Sequence, residues 1–126
     1  GAIIGMLIAS KYPDLICHLI LAGPNTKPHG VIKEVYDDMK KQYQKTKNPL
    51  IKMMLDEPHI SNKELKSIRS DTLVLAGSDD LIRLDHIHNI ACHIPHCRLR
   101  ILDGEDHSSY IIHSEKIAKI ILKEFK

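Results

Sequence analysis

The run Thr72-Leu73-Val74-Leu75-Ala76, leading straight into Gly77-Ser78-Asp79-Asp80, constrains this chain more than any other stretch. A short, nearly continuous apolar run without polar alternation is a strand covered on both faces, which is the condition of a strand inside a helix-flanked parallel sheet. Ile16 to Ala22, running into Gly23-Pro24-Asn25, and Arg98 to Leu102 read as two further strands. Helical spacing separates them: Leu84 to Ile94 is stopped by Pro95, and Ile111 to Phe125 is expected to close the chain as an amphipathic helix. Strands alternating with helices imply right-handed crossovers and a three-stranded parallel sheet with helices on both faces, an α/β fold. A chain of 126 residues is enough for one modest core, so residues 1–126 are expected to form a single domain.

The middle of the chain is more polar. Ile32, Val35, Tyr36 and Met39 predict one buried stripe on a surface helix over Val31 to Gln44, and Pro49 to Leu55 predicts a second helix. Ser61-Asn62-Lys63-Glu64 has the S-x-x-E pattern of a capping box opening a short third one. Together they form a small helical, cap-like insertion at about 29–67. Met39, Ile51, Met53, Met54 and Leu55 are candidates to line an apolar pocket, although apolar residues at helical spacing more commonly belong to a core.

Composition narrows the function classes. A formal charge of +2 with both signs interspersed, one Phe, four Tyr and no Trp offer neither a basic stripe nor a stacking platform, so no nucleic-acid partner is expected. The eight apolar residues from Ala2 to Ala9 are too few to cross a bilayer, and no basic region or small-residue cleavage site accompanies them. No membrane association is expected. Cys17, Cys92 and Cys97 are an odd number on unrelated segments, which suits reduced thiols in a cytoplasm better than a disulfide framework. In "DHIHNIACHIPHCRLR" the pairs His88 with Cys92, and Cys92 or His93 with His96, are spaced to share a helix face. No established zinc pattern appears there, so neither a metal nor another cofactor is expected.

In a parallel sheet the chemistry gathers in the loops leaving the carboxyl ends of the strands. Here the second such loop offers Asp80 and the third His107, an acid followed by a base. In that order the chain resembles the α/β-hydrolase family, over essentially its whole length but only over that family's second half. "TLVLAGSDDLI" looks like the strand and G-x-x-D turn that deliver the triad acid, and "LRILDGEDHSSYIIHSEKIAKIILKEF" like the last strand, histidine loop and closing helix. "GAIIGMLIASKYPDLICHLILAGP" looks like the helix after the nucleophile elbow and the strand that follows it. The resemblance implies that Asp80, three residues after Gly77, orients and charge-stabilises His107, and that His107 takes a serine proton and returns it to the leaving group. Asp79 does not fit that spacing. One departure is Asp106, where the family has a small residue, often Gly. A positive φ there would be tolerated by Asp, but a carboxylate beside His107 would favour imidazolium and blunt a general base.

Ala2 to Ala9 is apolar on nearly every side, so its helix is expected to be covered all round, yet nothing precedes Gly1 to cap it. Gly1 matches the last glycine of the family's G-x-S-x-G elbow, which places the nucleophilic serine two residues upstream of this chain. Ser10, Ser108 and Ser109 lack an elbow pattern and are not replacements. The expected function is therefore the carboxyl-terminal part of a serine hydrolase acting on a small ester, thioester or related acyl substrate, inactive alone. The alternatives are a non-catalytic interaction module or a decayed remnant. The strand from Ile16 to Ala22 would then present an apolar edge with only His18 as a possible charge, the Ala2 to Ala9 helix would lose part of its cover, and a homo-oligomer, most simply a two-fold dimer, is expected to bury both.

Overall fold

A computed structural model describes residues 1–112 and 114–125. The strands are β1 (His18–Ala22), β2 (Asp71–Gly77) and β3 (Cys97–Leu102), parallel throughout and in the order β1-β2-β3. The helices are α1 (Ala2–Lys11), α2 (Lys33–Thr46), α3 (Pro49–Asp56), α4 (Asn62–Lys66), α5 (Leu84–His93) and α6 (Lys116–Glu124), with a 3-10 turn over Pro28–Gly30. The predicted three-stranded α/β sheet is thus present, with β1 two residues shorter at its start than the apolar run suggested.

The pleat sorts β2 into two cores. Val74 and Ala76 face α1, α4 and α5, joining Met6, Ala9, Leu65, Ile87 and Ile90, while Leu73 and Leu75 face Tyr110 and the α6 residues Ile117 and Ile120. Every residue from Thr72 to Gly77 is buried, as an unbroken apolar run requires. On β3 the alternation is split by charge. Leu99 and Ile101 join the first core, and Arg98 and Arg100 reach across to Glu124 at 3.3 and 2.9 Å, pinning α6 to the sheet. Phe125 adds its ring beneath the Arg98 guanidinium, 4.9 Å from the centroid.

Two expectations are corrected. The closing helix starts at Lys116, not Ile111, because Ile111 and Ile112 both donate their N–H groups to the Ser108 carbonyl in a tight turn; His113 lies outside the described residues. The face of α2 predicted to be buried is only half-buried, since α2 and α3 pack against each other and the 3-10 turn rather than on the sheet. The opening helix is only partly covered, as expected: Ile4 is 63% exposed, and Leu7 and Ile8 are also exposed, while Met6 and Ala9 face β1. The capping box behaves as predicted, with Ser61 Oγ accepting the Glu64 N–H at 3.1 Å and Glu64 Oε1 accepting the Ser61 N–H at 3.2 Å.

Candidate active site

β2 and β3 are neighbours, so the loops leaving them meet at one end of the sheet. Three backbone-centred bonds stitch them together. Ser78 N–H donates to Leu102 O at 2.9 Å, Asp79 N–H to Glu105 O at 3.0 Å, and Gly104 N–H to Ser78 Oγ at 2.8 Å. Gly77 permits this approach, because a Cβ there would lie 1.9 Å from the Glu105 carbonyl oxygen.

The consequence is a direct contact between the two predicted residues, 27 positions apart: His107 Nδ1 lies 2.7 Å from Asp80 Oδ1. Asp80, the residue the G-x-x-D spacing selects, is buried, and Asp79 is exposed. The carboxylate is held by two backbone donors, Ile82 N–H to Oδ1 at 3.2 Å and Gly77 N–H to Oδ2 at 3.3 Å. A buried carboxylate accepts but cannot donate, so Nδ1 carries the proton and Nε2 is left as the basic nitrogen. The histidine side chain remains 44% exposed and borders a cavity of about 330 Å³.

Residues from the start of the chain and from its middle line that cavity: Gly1, Ala2 and Ile3 at the start of α1, and Val35, Met39 and Met54 from α2 and α3. Of the five candidate pocket residues in the insertion, Met39 and Met54 therefore line the cavity. Ile51 and Leu55 are half-buried and Met53 is exposed, so none of the five belongs to the buried core. The imidazole also rests on Gly23 (φ +58°), where a Cβ would sit 2.6 Å from His107 Cε1 and 2.8 Å from Nδ1. That role of Gly23 was not legible from its turn signature alone.

The Asp106 departure resolves differently from the expectation. Lys47 is the only non-glycine residue with positive φ among the described residues, so Asp106 does not occupy that region. Its Oδ1 accepts the N–H groups of Ser108 and Ser109 at 2.9 and 2.8 Å, and Ser109 Oγ accepts the Asp106 N–H at 2.9 Å. These donors hold the Asp106 carboxyl below the usual carboxylate range and commit it to the turn after His107. Glu105 likewise binds Ser109 Oγ and Lys116 Nζ, tying the histidine loop to α6.

Two buried groups near the site were missed. The Tyr110 hydroxyl is buried without a hydrogen-bond partner among the described residues, and burial together with the Asp80 charge pushes its pKa up to about 12. His86, one of the residues in the histidine-rich stretch, is buried against Thr26, 60 positions away. No group of three His, Cys, Asp or Glu side chains that could hold a metal occurs among the described residues; His88 and Cys92 point outward from α5. Nor is any helix there long and apolar enough to cross a membrane.

No protein-family model and no curated protein matches the chain. Solved structures do match in fold. A predicted CIB-like hydrolase from Thermoplasma acidophilum aligns over 99% of this chain and 46% of its own, with TM-score 0.65 at 20% identity. The meta-cleavage product hydrolase of Pseudomonas fluorescens IP01 aligns over 99% and 61%, with TM-score 0.70 at 14% identity. A carboxylesterase from Bacillus subtilis aligns over 94% and 54%, with TM-score 0.65 at 14% identity. The chain spans about half the length of these proteins, and its fold is that of the α/β hydrolases over the carboxyl-terminal part of their architecture.

Proposed function

We propose that this chain is the acid-and-histidine portion of a serine hydrolase acting on ester, thioester or related acyl bonds. Asp80 orients His107 and stabilises its imidazolium, and His107 Nε2 accepts the nucleophile's proton and delivers it to the leaving group. The serine is supplied from outside these 126 residues. The observation that carries the reading is the 2.7 Å contact between a buried, doubly held carboxylate and a part-exposed imidazole at adjacent strand ends. The presence of Gly1, Ala2 and Ile3 on the wall of the same cavity supports an elbow immediately before α1. Within residues 29–67 the α2–α3 pair then acts as a small cap, with Met39 and Met54 facing the acyl group, while α4 packs into the core through Leu65.

The test compares this chain with a version extended upstream in its reading frame through a G-x-S-x-G segment, using a chromogenic phenyl ester and a serine-directed phosphonate. The extended protein is expected to turn over the ester, to label with the phosphonate, and to lose turnover by at least about 10³-fold in His107→Ala. The 126-residue chain is expected to do neither. Ester turnover by this chain that disappears in His107→Ala, with phosphonate labelling, refutes the external nucleophile. An extended, folded protein indifferent to His107→Ala refutes the hydrolase reading.

A further inference from the structure

Outside the Asp80–His107 pair, a second buried imidazole is held in place: His86, in the first turn of α5. Its Nε2 lies 3.2 Å from the Thr26 N–H and 3.1 Å from Thr26 Oγ1, and both residues are buried. A backbone N–H can only donate, so Nε2 is the acceptor and the ring is the neutral tautomer protonated on Nδ1. The fit leaves no slack: a Cβ on Gly30 would sit 2.6 Å from both His86 Cδ2 and Nε2 and 2.0 Å from Asn25 Oδ1.

Thr26 is where the α2–α3 segment leaves the sheet and where it returns. The Thr26 carbonyl accepts the N–H of Ile60, between α3 and α4, at 2.9 Å. Next to it, Arg83 N–H donates to Gly30 O at 2.8 Å and Ile32 N–H to Leu81 O at 2.7 Å. Beyond this base, α2 and α3 pack on each other and on the 3-10 turn, yet they contribute Val35, Met39 and Met54 to the cavity wall. The placement of that wall is therefore set at its base, and His86 is the side chain that fastens the base to α5.

We propose that His86 is a positioning residue that latches the α2–α3 pair over the cavity through Thr26, and that protonating His86 releases the latch. An imidazolium carries a hydrogen on Nε2, which cannot accept from the Thr26 N–H and leaves a buried donor unpaired. The ring's charged neighbours are Arg83 and Asp85 from its own segment and Lys27 from the loop beside Thr26. Burial is the strongest influence keeping the ring neutral; Arg83 and Lys27 act in the same sense, and Asp85 opposes them. The latch requires no acyl chemistry at His107 and stands or falls separately from the proposed activity.

The test is made on the intact 126-residue chain by NMR. The titration and tautomer of His86 are read from its ring nitrogens, and the exchange of the Thr26 amide is followed from pH 7.5 to 5 and corrected for intrinsic rate. His86 is expected to titrate below the ordinary histidine value as the Nδ1–H tautomer. The corrected exchange rate should rise as pH falls below about 6.5, by at most about tenfold per pH unit. His86→Gln, which cannot titrate, should show a flat profile. An Nε2–H tautomer, a titration at or above the ordinary value, or a flat wild-type exchange profile overturns the latch, with or without a folded variant.

Discussion

Replacing Gly23 with Ala probes the site through a residue that carries no chemistry of its own. Gly23 has φ +58°, and its N–H donates to Leu75 O at 2.7 Å, so the backbone cannot swing away without breaking into β2. The left-handed conformation costs Ala about 1 kcal/mol. The added Cβ would also lie 2.6 Å from His107 Cε1, about 1 Å inside ordinary carbon contact. Moving the imidazole that far breaks its 2.7 Å bond to Asp80, a charge-assisted bond worth about 1 kcal/mol once discounted for the exposure of the ring. Lower unfolded-chain entropy returns about 0.5 kcal/mol. The expected net loss is about 1.5 kcal/mol, seen as a lower urea midpoint with unchanged slope, together with loss of the His107 Nδ1 proton signal. Gly104→Ala is the control: φ is +72° and nothing lies within 4 Å of the added Cβ, so the same left-handed cost less the same entropy return should leave a loss of about 0.5 kcal/mol and His107 untouched. A Gly23→Ala protein with an intact Nδ1 signal and no greater loss than Gly104→Ala refutes the packing argument.

Four further outcomes are expected. Tyr110→Phe removes a buried hydroxyl that has no hydrogen-bond partner among the described residues and should be neutral or stabilise by up to about 1 kcal/mol in urea denaturation; a loss of about 2 kcal/mol would reveal a hidden partner. Because burial lowers the folded-state pKa of His86, the unfolded chain binds more protons as pH falls below about 6.5. The His86 contribution is therefore fully present above that pH and is lost toward the folded-state value, and the difference in unfolding free energy between wild type and His86→Gln should shrink across that window. Gly77→Ala should prevent folding, because its Cβ would lie 1.9 Å from Glu105 O; a cooperative melt near the parent's would contradict the close approach of the two loops. Among the described residues β1 pairs only with β2, and Ile4, Leu7 and Ile8 are exposed, so sedimentation at micromolar concentration should show a homo-oligomer. A clean monomer, with Ile20→Lys no more soluble than the parent, would refute it.

The parts of this fold that were legible in the sequence are those decided by local pattern. The unbroken run before Gly77 specified a strand buried on both faces, Pro95 ended α5 on schedule, and the G-x-x-D spacing selected Asp80, the buried one of two adjacent aspartates. What escaped is decided by contacts distant in sequence. Nothing near His86 marks it as the partner of Thr26, and nothing near Gly23 marks it as the floor beneath His107. The start of α6 was misread because Ile111 and Ile112 continue the helical period while their N–H groups are drawn to Ser108. Met39 and Met54 were indistinguishable from core residues by spacing, since periodicity reports which face is apolar and not whether protein or a cavity covers it.

The measurement that tests the central claim most directly is the long-range proton–nitrogen spectrum of His107 near pH 7.5. An Asp80–His107 pair prepared for base catalysis predicts a low-field proton on Nδ1 and a bare, basic Nε2, with the Nδ1 proton signal lost in Asp80→Ala while the backbone spectrum outside the two loops is retained. A His107 ring protonated on Nε2 in the wild-type chain, or an Nδ1 signal unchanged by Asp80→Ala, would contradict it.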